Sequence, residues 1–368
     1  LNNGFLKHIY AFFSALIASI ILLNILLSKP RSILTKPNLD IKSYHELSQD
    51  MSAGVITVFG SSELFLTHLK NIPNNFFHEK LGEKVNIVPG ALIRAGVIES
   101  RLQALKRPEV IANGKLVIIV SPEWFTPKYA KRISKRFFLR EFNQKYLYEF
   151  LFNPFVSEQS KRELRSFLEG VNEYDVLSRL QPYIDSYFVK TYLAHFDLTH
   201  ESVLPYSYKK KNINFEKLYI EGIELEKLAS VGNPFGISQT PLIIRGYEVI
   251  KNKVPVKREV YLGKNKDNHS LVEFYSLVKL LKEFKHKPLI VIPDLNHHGY
   301  KNKHLLNPLI KELEVEILKN KFGLVNLWTN SVGEYQEGIM NDVWHLGEAG
   351  WVRVNEGIYN FFIEGNIK

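Results

Sequence analysis

Runs of four or five mostly apolar residues, each ending in a turn signal, recur through much of this chain. Val55-Ile56-Thr57-Val58-Phe59 stops at Gly60-Ser61-Ser62, and Val85-Asn86-Ile87-Val88 stops at Pro89-Gly90. Leu116-Val117-Ile118-Ile119-Val120 leads into Ser121-Pro122-Glu123-Trp124-Phe125. Leu289-Ile290-Val291-Ile292 and Leu324-Val325-Asn326-Leu327 complete the set. Short β-branched runs with almost no polar alternation predict buried strands of a parallel sheet. Between them, helical periodicity covers residues 93–105 and 271–284, a further helix is expected to be capped at Asn307-Pro308, and a last one follows Gly350. A helix-compatible stretch also begins at Glu63-Leu64-Phe65-Leu66, directly after the first strand. Strands alternating with helices predict a doubly wound α/β domain with a central, mainly parallel sheet.

Two stretches break this rhythm. Residues 9–27 (IYAFFSALIASIILLNILL) carry no charge over 19 positions, enough helix to cross about 30 Å of hydrocarbon. No small-residue cleavage site follows, so an uncleaved signal anchor is expected rather than a signal peptide. A buried core helix is the competing reading, and the lack of a polar face weakens it. Residues 1–8 form a short tail before the span, and residues 28–50, with Pro30, Pro37 and mixed charge, read as a linker. The second break is residues 128–260. Segments rich in Lys, Arg, Phe and Tyr alternate there with Asn-Pro at 153–154 and 233–234, and no apolar strand is evident. This reads as a long, partly helical insertion covering the site and splitting the α/β domain into 51–127 and 261–368.

Composition narrows the function classes. A chain of 368 residues, 45% hydrophobic with 24 Phe and 18 Tyr, can bury a large core. Its net charge of +10 suits an anionic partner such as a phosphate polymer, an acidic lipid surface or nucleic acid. No basic-aromatic RNA-binding motif is present, and the absence of cysteine excludes zinc fingers, disulfides and thiolate chemistry. No cofactor is expected, and no His/Asp cluster has metal-ligand spacing. The runs Lys131-Arg132 with Lys135-Arg136, and Lys209-Lys210-Lys211, are either solvated faces or contacts for an anionic polymer beside a membrane. Lys7 precedes the span while Lys29, Arg31 and Lys36 follow it, so flanking charge leans toward a cytoplasmic bulk.

Candidate chemistry centres on the turn after the first strand. A serine there has an exposed hydroxyl, with free N–H groups nearby to hold an oxyanion, and the bland alternative is a capping serine in an ordinary turn. A serine nucleophile needs a base, and the base needs an orienting carboxylate. Asp three residues before His occurs three times, at Asp197/His200, Asp294/His297 and Asp342/His345. The first lies in the insertion, away from any strand end. The second follows a buried strand, at the edge where ligands bind in such sheets, and makes Asp294 and Asn296 candidate pocket groups. His297 and His298 also read as polar surface. The third lies between the last strand and the last helix.

Gly60-Ser61-Ser62 early and Asp342-x-x-His345 late resemble the SGNH/GDSL hydrolase pattern. More narrowly, Phe59-Gly60-Ser61-Ser62-Glu63-Leu64, Ser121-Pro122-Glu123-Trp124-Phe125 and Asp342-Val343-Trp344-His345-Leu346-Gly347 resemble the DltD family of teichoic acid D-alanyl transfer. The resemblance spans essentially the whole chain. It implies an SGNH-hydrolase-like three-layer α/β/α fold and an anchored enzyme with its domain outside the membrane. Ser62 would be the nucleophile, His345 the general base and Asp342 the carboxylate that orients it, with the N–H groups of Ser62 and Gly90 meeting the oxyanion. The partners implied are a teichoic or lipoteichoic acid acceptor and a D-alanyl donor carrier or membrane partner of D-alanylation. Ser61 stands where GDSL enzymes have aspartate, leaving two serines to weigh, and Ser121-Pro122-Glu123 stands where SGNH enzymes carry an asparagine. Ser61, Ser121, Glu123, Trp124 and Trp344 are candidate pocket residues, the tryptophans serving equally well as core. The same triad could instead hydrolyse D-alanyl carrier protein or an acetylated polysaccharide. The two departures also allow a non-catalytic subunit that binds a carrier or polymer.

Overall fold

The five apolar runs form one sheet, every strand parallel, in the order β2-β1-β3-β4-β5. β1 is Thr57–Phe59, β2 Asn86–Val88, β3 Leu116–Ile119, β4 Leu289–Ile292 and β5 Gly323–Asn326. A computed structural model describes residues 12–16, 19, 44–90, 93–126, 131, 133, 135–169, 204–229, 268–297, 300, 302–336 and 338–365. The register aligns Val58 with Ile87 and Val117, Ile118 with Ile290, and Val291 with Val325.

Because successive side chains of a strand point to opposite faces, each run feeds two cores. Phe59, Leu116, Ile118, Ile290 and Ile292 enter one hydrophobic cluster, while Val58, Val117, Ile119, Leu289 and Val291 enter the other. Burying one such side chain contributes about 1.5–3 kcal/mol, so a strand apolar on both sides is stable only when covered on both. On the first face lie α1 (Tyr44–Ala53), α2 (Ala95–Ala104), α3 (Pro108–Asn113), α4 (Lys135–Phe152), α5 (Glu158–Glu169), α7 (His269–Leu281) and α8 (Asn307–Lys319). On the second lie residues 64–81, α6 (Phe215–Ala229) and α9 (Glu348–Tyr359). The result is three layers, with α4, α5 and α6 supplied by the long irregular stretch of residues 128–260. No strand occurs in the described part of that stretch.

Three local expectations are corrected. The stretch from Glu63 forms only the single 3-10 turn Ser62–Phe65, and the chain leaves helical geometry at Leu66. Leu64, Leu66, Leu69 and Ile72 are all buried in one core, and residues two apart cannot share a helix face. Asn307 does not cap its helix. The 3-10 turn Lys303–Leu306 runs straight into α8, and the Asn307 side chain instead accepts the Trp328 indole N–H at 2.9 Å. The last helix starts at Glu348, so Gly350 lies inside it. A Cβ there would sit 2.3 Å from the Ile339 carbonyl, and this close approach explains the glycine.

The chain divides into two units, Leu1–Ile41 and Lys42–Lys368. In the first, residues 12–16 and 19 are helical, and Phe12, Phe13 and Leu16 are exposed. Most of the apolar run at 9–27 lies outside the described residues, and among the described residues no helix is long and apolar enough to cross a membrane.

Chain order places the site. After β1 the chain moves to β2 on one side, then returns to lay β3 on the other. The carboxyl ends of β1 and β3 therefore flank a topological switch point, where open α/β sheets bind ligands. Ser61 and Ser62 follow β1, and Ser121 to Phe125 follow β3.

Candidate active site

Gly60, Ser61 and Ser62 carry the chain out of β1. Glu63 folds back so that Oε1 accepts the Ser61 N–H at 2.7 Å, and Ser62 opens the short 3-10 turn, half-buried at the sheet edge. From the other end of the chain, residues 340–346 form a closed loop. Met340 and Leu346 pair across its neck, and the Asn341 N–H donates to the His345 carbonyl at 2.8 Å. Within it, Asp342 Oδ1 accepts the N–H groups of Trp344 at 2.8 Å and His345 at 2.7 Å. Its second oxygen lies 2.6 Å from His345 Nδ1. His345 Nε2 in turn lies 2.8 Å from Ser62 Oγ.

One further contact sets the imidazole tautomer. The Trp344 indole N–H, which can only donate, reaches His345 Nε2 at 3.0 Å. Nε2 therefore presents its lone pair, and Nδ1 carries the proton that goes to Asp342. In that state the Ser62 hydroxyl, at the shorter distance, donates to the same Nε2 lone pair in competition with the indole N–H, and a general base needs the hydroxyl's bond.

The surroundings tune the histidine. Burial would depress the His345 imidazolium, but the charge and hydrogen bond of Asp342, with the charges of Glu63 and Glu123, outweigh burial and hold it above its ordinary value. Burial raises Glu63 above the usual carboxylate range against the pull of its backbone hydrogen bonds. Glu123 accepts the Tyr300 hydroxyl at 3.1 Å.

Two anchors hold the His345 loop. Glu226 of α6, almost fully buried, accepts the Glu348 N–H at 2.8 Å and the Asn341 side-chain amide at 3.3 Å, one on each side of the loop. Burial pushes the Glu226 carboxyl up to about 7. The Glu348 carboxylate then accepts the N–H groups of Lys70 and Asn71, both at 2.8 Å, tying the loop to the segment that follows Ser62. From the loop after β4, the Asn296 N–H donates to the Val343 carbonyl at 3.0 Å, and its side-chain amide donates to the Asp342 carbonyl at 3.4 Å.

The other residues singled out in the sequence separate by position. Asp294 is fully buried and accepts from Lys303, from the Thr329 hydroxyl at 2.6 Å and from the Thr329 N–H at 3.2 Å. Burial draws the Lys303 ammonium down to about 8 against the opposing charge of Asp294. Asp294 is thus committed to a buried ion pair, and His297 Nε2 contacts Lys303 at 2.8 Å and Thr329 Oγ1 at 2.9 Å. Asn296 too is fully buried and braces the Asp342 loop rather than facing solvent. Ser121 is buried, and its carbonyl accepts the Trp124 N–H at 3.1 Å. Trp124 lies in the hydrophobic cluster of the first face, whereas Trp344 packs partly against it beside His345. The Gly90 N–H points at the Ser61 carbonyl over a long 3.5 Å, and a Cβ on Gly90 would collide with Ile93. Lys209, Lys210 and Lys211 are exposed, as is Lys131. Asp197/His200, His298 and Arg132 lie outside the described residues, as do the side chains of Lys135 and Arg136. Among the described residues, no group of three or more His, Asp and Glu side chains could hold a metal ion.

Glu226, Lys303 and Tyr300 carry no sequence signal that marks them for the site, because each arrives from a distant element. Glu63 has one: it is the single charge in an otherwise apolar stretch directly after Ser62.

Fold and site define an α/β protein with a serine, a histidine and an aspartate hydrogen-bonded in series at the carboxyl edge of a parallel sheet. A family model described as DltD protein matches residues 35–229 and 184–363, and the chain belongs to the DltD family. Membership gives it a role in the D-alanylation of teichoic acids. No curated protein matches the chain.

Proposed function

We propose that this protein is a membrane-anchored serine acyltransferase of the SGNH type, moving D-alanine onto teichoic or lipoteichoic acid through an acyl-Ser62 intermediate. The observation that carries the reading is the unbroken series Asp342, His345, Ser62, with contacts of 2.6 and 2.8 Å. Ser62 Oγ attacks the D-alanyl carbonyl carbon while its proton passes to His345 Nε2. The N–H groups of Ser62 and Gly90 meet the oxyanion. Collapse expels the donor's leaving group, which takes the proton from His345, and leaves D-alanyl-Ser62. A hydroxyl of the polymer then attacks the ester. His345 accepts that proton and returns it to Ser62 Oγ, so the enzyme is regenerated. Asp342 holds the tautomer and stabilises the imidazolium throughout.

Ser62 is favoured over Ser61 because its hydroxyl reaches the histidine, whereas Ser61 is buried with its amide bound to Glu63. The apolar run at 9–27 is the proposed single-pass anchor, with the α/β domain outside the membrane where the polymer lies. The net charge of +10 then raises the local concentration of a polyphosphate acceptor. The test is the D-alanine content of teichoic acid in cells carrying Ser62→Ala, His345→Ala or Ser61→Ala at normal protein levels. The expected result is loss with Ser62→Ala and His345→Ala and retention with Ser61→Ala. Retention with all three would overturn the reading and leave a binding subunit. Release of free D-alanine from a donor without any acceptor, and no transfer when polymer is added, would replace transfer by hydrolysis.

A further inference from the structure

The hydroxyl and its base account for one half of an acyl-transfer site; the other half is whatever holds the oxyanion. Gly90 is the candidate donor beyond Ser62 itself, and a backbone N–H is useful only if its peptide plane is held still. The Pro89–Gly90 peptide is trans, so its carbonyl and its N–H point in opposite directions. The carbonyl end is gripped. Arg101 Nη1, on α2, donates to the Pro89 oxygen at 3.2 Å. The opposite end, the Gly90 N–H, points into the turn that carries Ser62, where among the described residues it meets the Ser61 carbonyl at 3.5 Å. A bond of that length leaves the donor available to a stronger, charged acceptor.

Arg101 is itself immobilised. It is almost fully buried, its second nitrogen Nη2 donates to the Glu141 backbone carbonyl, and its guanidinium carbon lies 5.3 Å from the Tyr146 ring centre. Both partners belong to α4, from the stretch of residues 128–260. A buried guanidinium is costly to desolvate, and the fold spends it on two main-chain carbonyls, one of them next to the site. A planar fork with fixed donors suits this task better than an ammonium would.

We propose that Arg101 is the positioning residue of the oxyanion hole: by holding the Pro89 carbonyl against α4 it aims the Gly90 N–H at the carbonyl oxygen of the acyl group on Ser62. It touches neither substrate nor the reacting atoms, and its part is to keep the Pro89–Gly90 peptide plane still. The inference rests on Ser62 being the nucleophile.

The test is the rate at which a phosphonate ester, whose adduct carries a tetrahedral oxyanion, labels Ser62 in the full chain, read by mass spectrometry per folded molecule. The comparison is between the unaltered protein, Arg101→Met and Arg101→Lys. Arg101→Met is expected to label about 10- to 100-fold more slowly, as for a mis-set backbone donor, and Arg101→Lys to fall between the two. The midpoint of the labelling rate against pH is expected to stay in place in both variants, because His345 is untouched. Equal labelling rates per folded molecule would overturn the proposal and leave Arg101 as a staple of the fold. A slowed rate with a displaced pH midpoint would overturn it as well, since the histidine would then be what moved. If Arg101→Met does not fold, Arg101→Lys alone decides between these outcomes. If the unaltered protein takes no label on Ser62, the nucleophile reading itself fails, an outcome distinct from the others.

Discussion

His345 is surrounded by three carboxylates, and their combined charge decides how it works. Asp342 is bonded to Nδ1, while Glu63 and Glu123 act through space, and together they hold the imidazolium above its ordinary value despite burial. A base must be neutral to accept the Ser62 proton. Activity should therefore rise with pH through a midpoint above the 6.5 of a free histidine. Replacing Asp342 by Asn removes the largest opposing charge and leaves burial to win, so the midpoint should move to lower pH. The rate should fall by about 10⁴, because the amide no longer enforces the Nδ1–H tautomer. A pH-rate profile of both proteins checks this, and an unmoved midpoint in Asp342→Asn would contradict the electrostatic account. At this scale the Asp342/His345 spacing was legible, since residues three apart meet within one turn. Spacing alone did not choose that pair over Asp294/His297, because both follow strand ends; the resemblance of the motif around His345 to the DltD family did. In the structure Lys303 claims Asp294, and it lies on a turn whose residues advertise nothing.

Elements matter through the contacts they lend one another. α6 brings Glu226 to both sides of the His345 loop, and burial pushes its carboxyl to about 7 from an ordinary 4.5. With the folded value above the unfolded one, the native state holds the proton more tightly. Stability from this group is full below about 4.5 and is lost as pH rises through about 7. The difference between those two values corresponds to roughly 3 kcal/mol. Glu226→Gln, which cannot ionise, should flatten the urea-unfolding stability between pH 5 and 8 by that order, and an unchanged pH slope would refute the assignment. The β4 and β5 loops are joined differently: Asp294 and Lys303, both after β4, form a buried ion pair, and Thr329, after β5, is hydrogen-bonded to each of them. Lys303→Met strands a buried carboxylate and should cost about 3–5 kcal/mol in the same assay. Adding Asp294→Leu should restore part of that loss. Strands and long helices were readable because their hydrophobic periods are strong. The stretch after Ser62 misled, since Leu64 and Leu66 both serve the core in a way no helix permits.

Across the whole molecule, charge and the apolar N-terminal run belong together. With the acceptor a phosphate polymer, binding of polyglycerol phosphate should weaken steeply as salt is raised, because exposed lysines such as Lys209 and Lys210 are screened beyond about 8 Å at 0.15 M. Binding insensitive to salt would remove the electrostatic role. The full chain should sediment with membranes, and a version lacking residues 1–41 should not.

The order of layers followed from local information. Short runs apolar on both faces predict strands covered on both sides, and helices between parallel strands supply that cover; β2 and β5, each carrying an asparagine, lie at the two edges of the sheet. The residue types at the site were also local: a Gly-Ser-Ser turn, an Asp-x-x-His pair and their places along the chain. The meeting of Ser62 with His345, 283 positions apart, was not, because it depends on loop paths that period and composition do not encode. Nor were the buried supports, Glu226, Lys303 and Arg101. Each is a charged residue whose sequence signature is that of a solvated surface, and each is made internal by partners that only three-dimensional packing supplies.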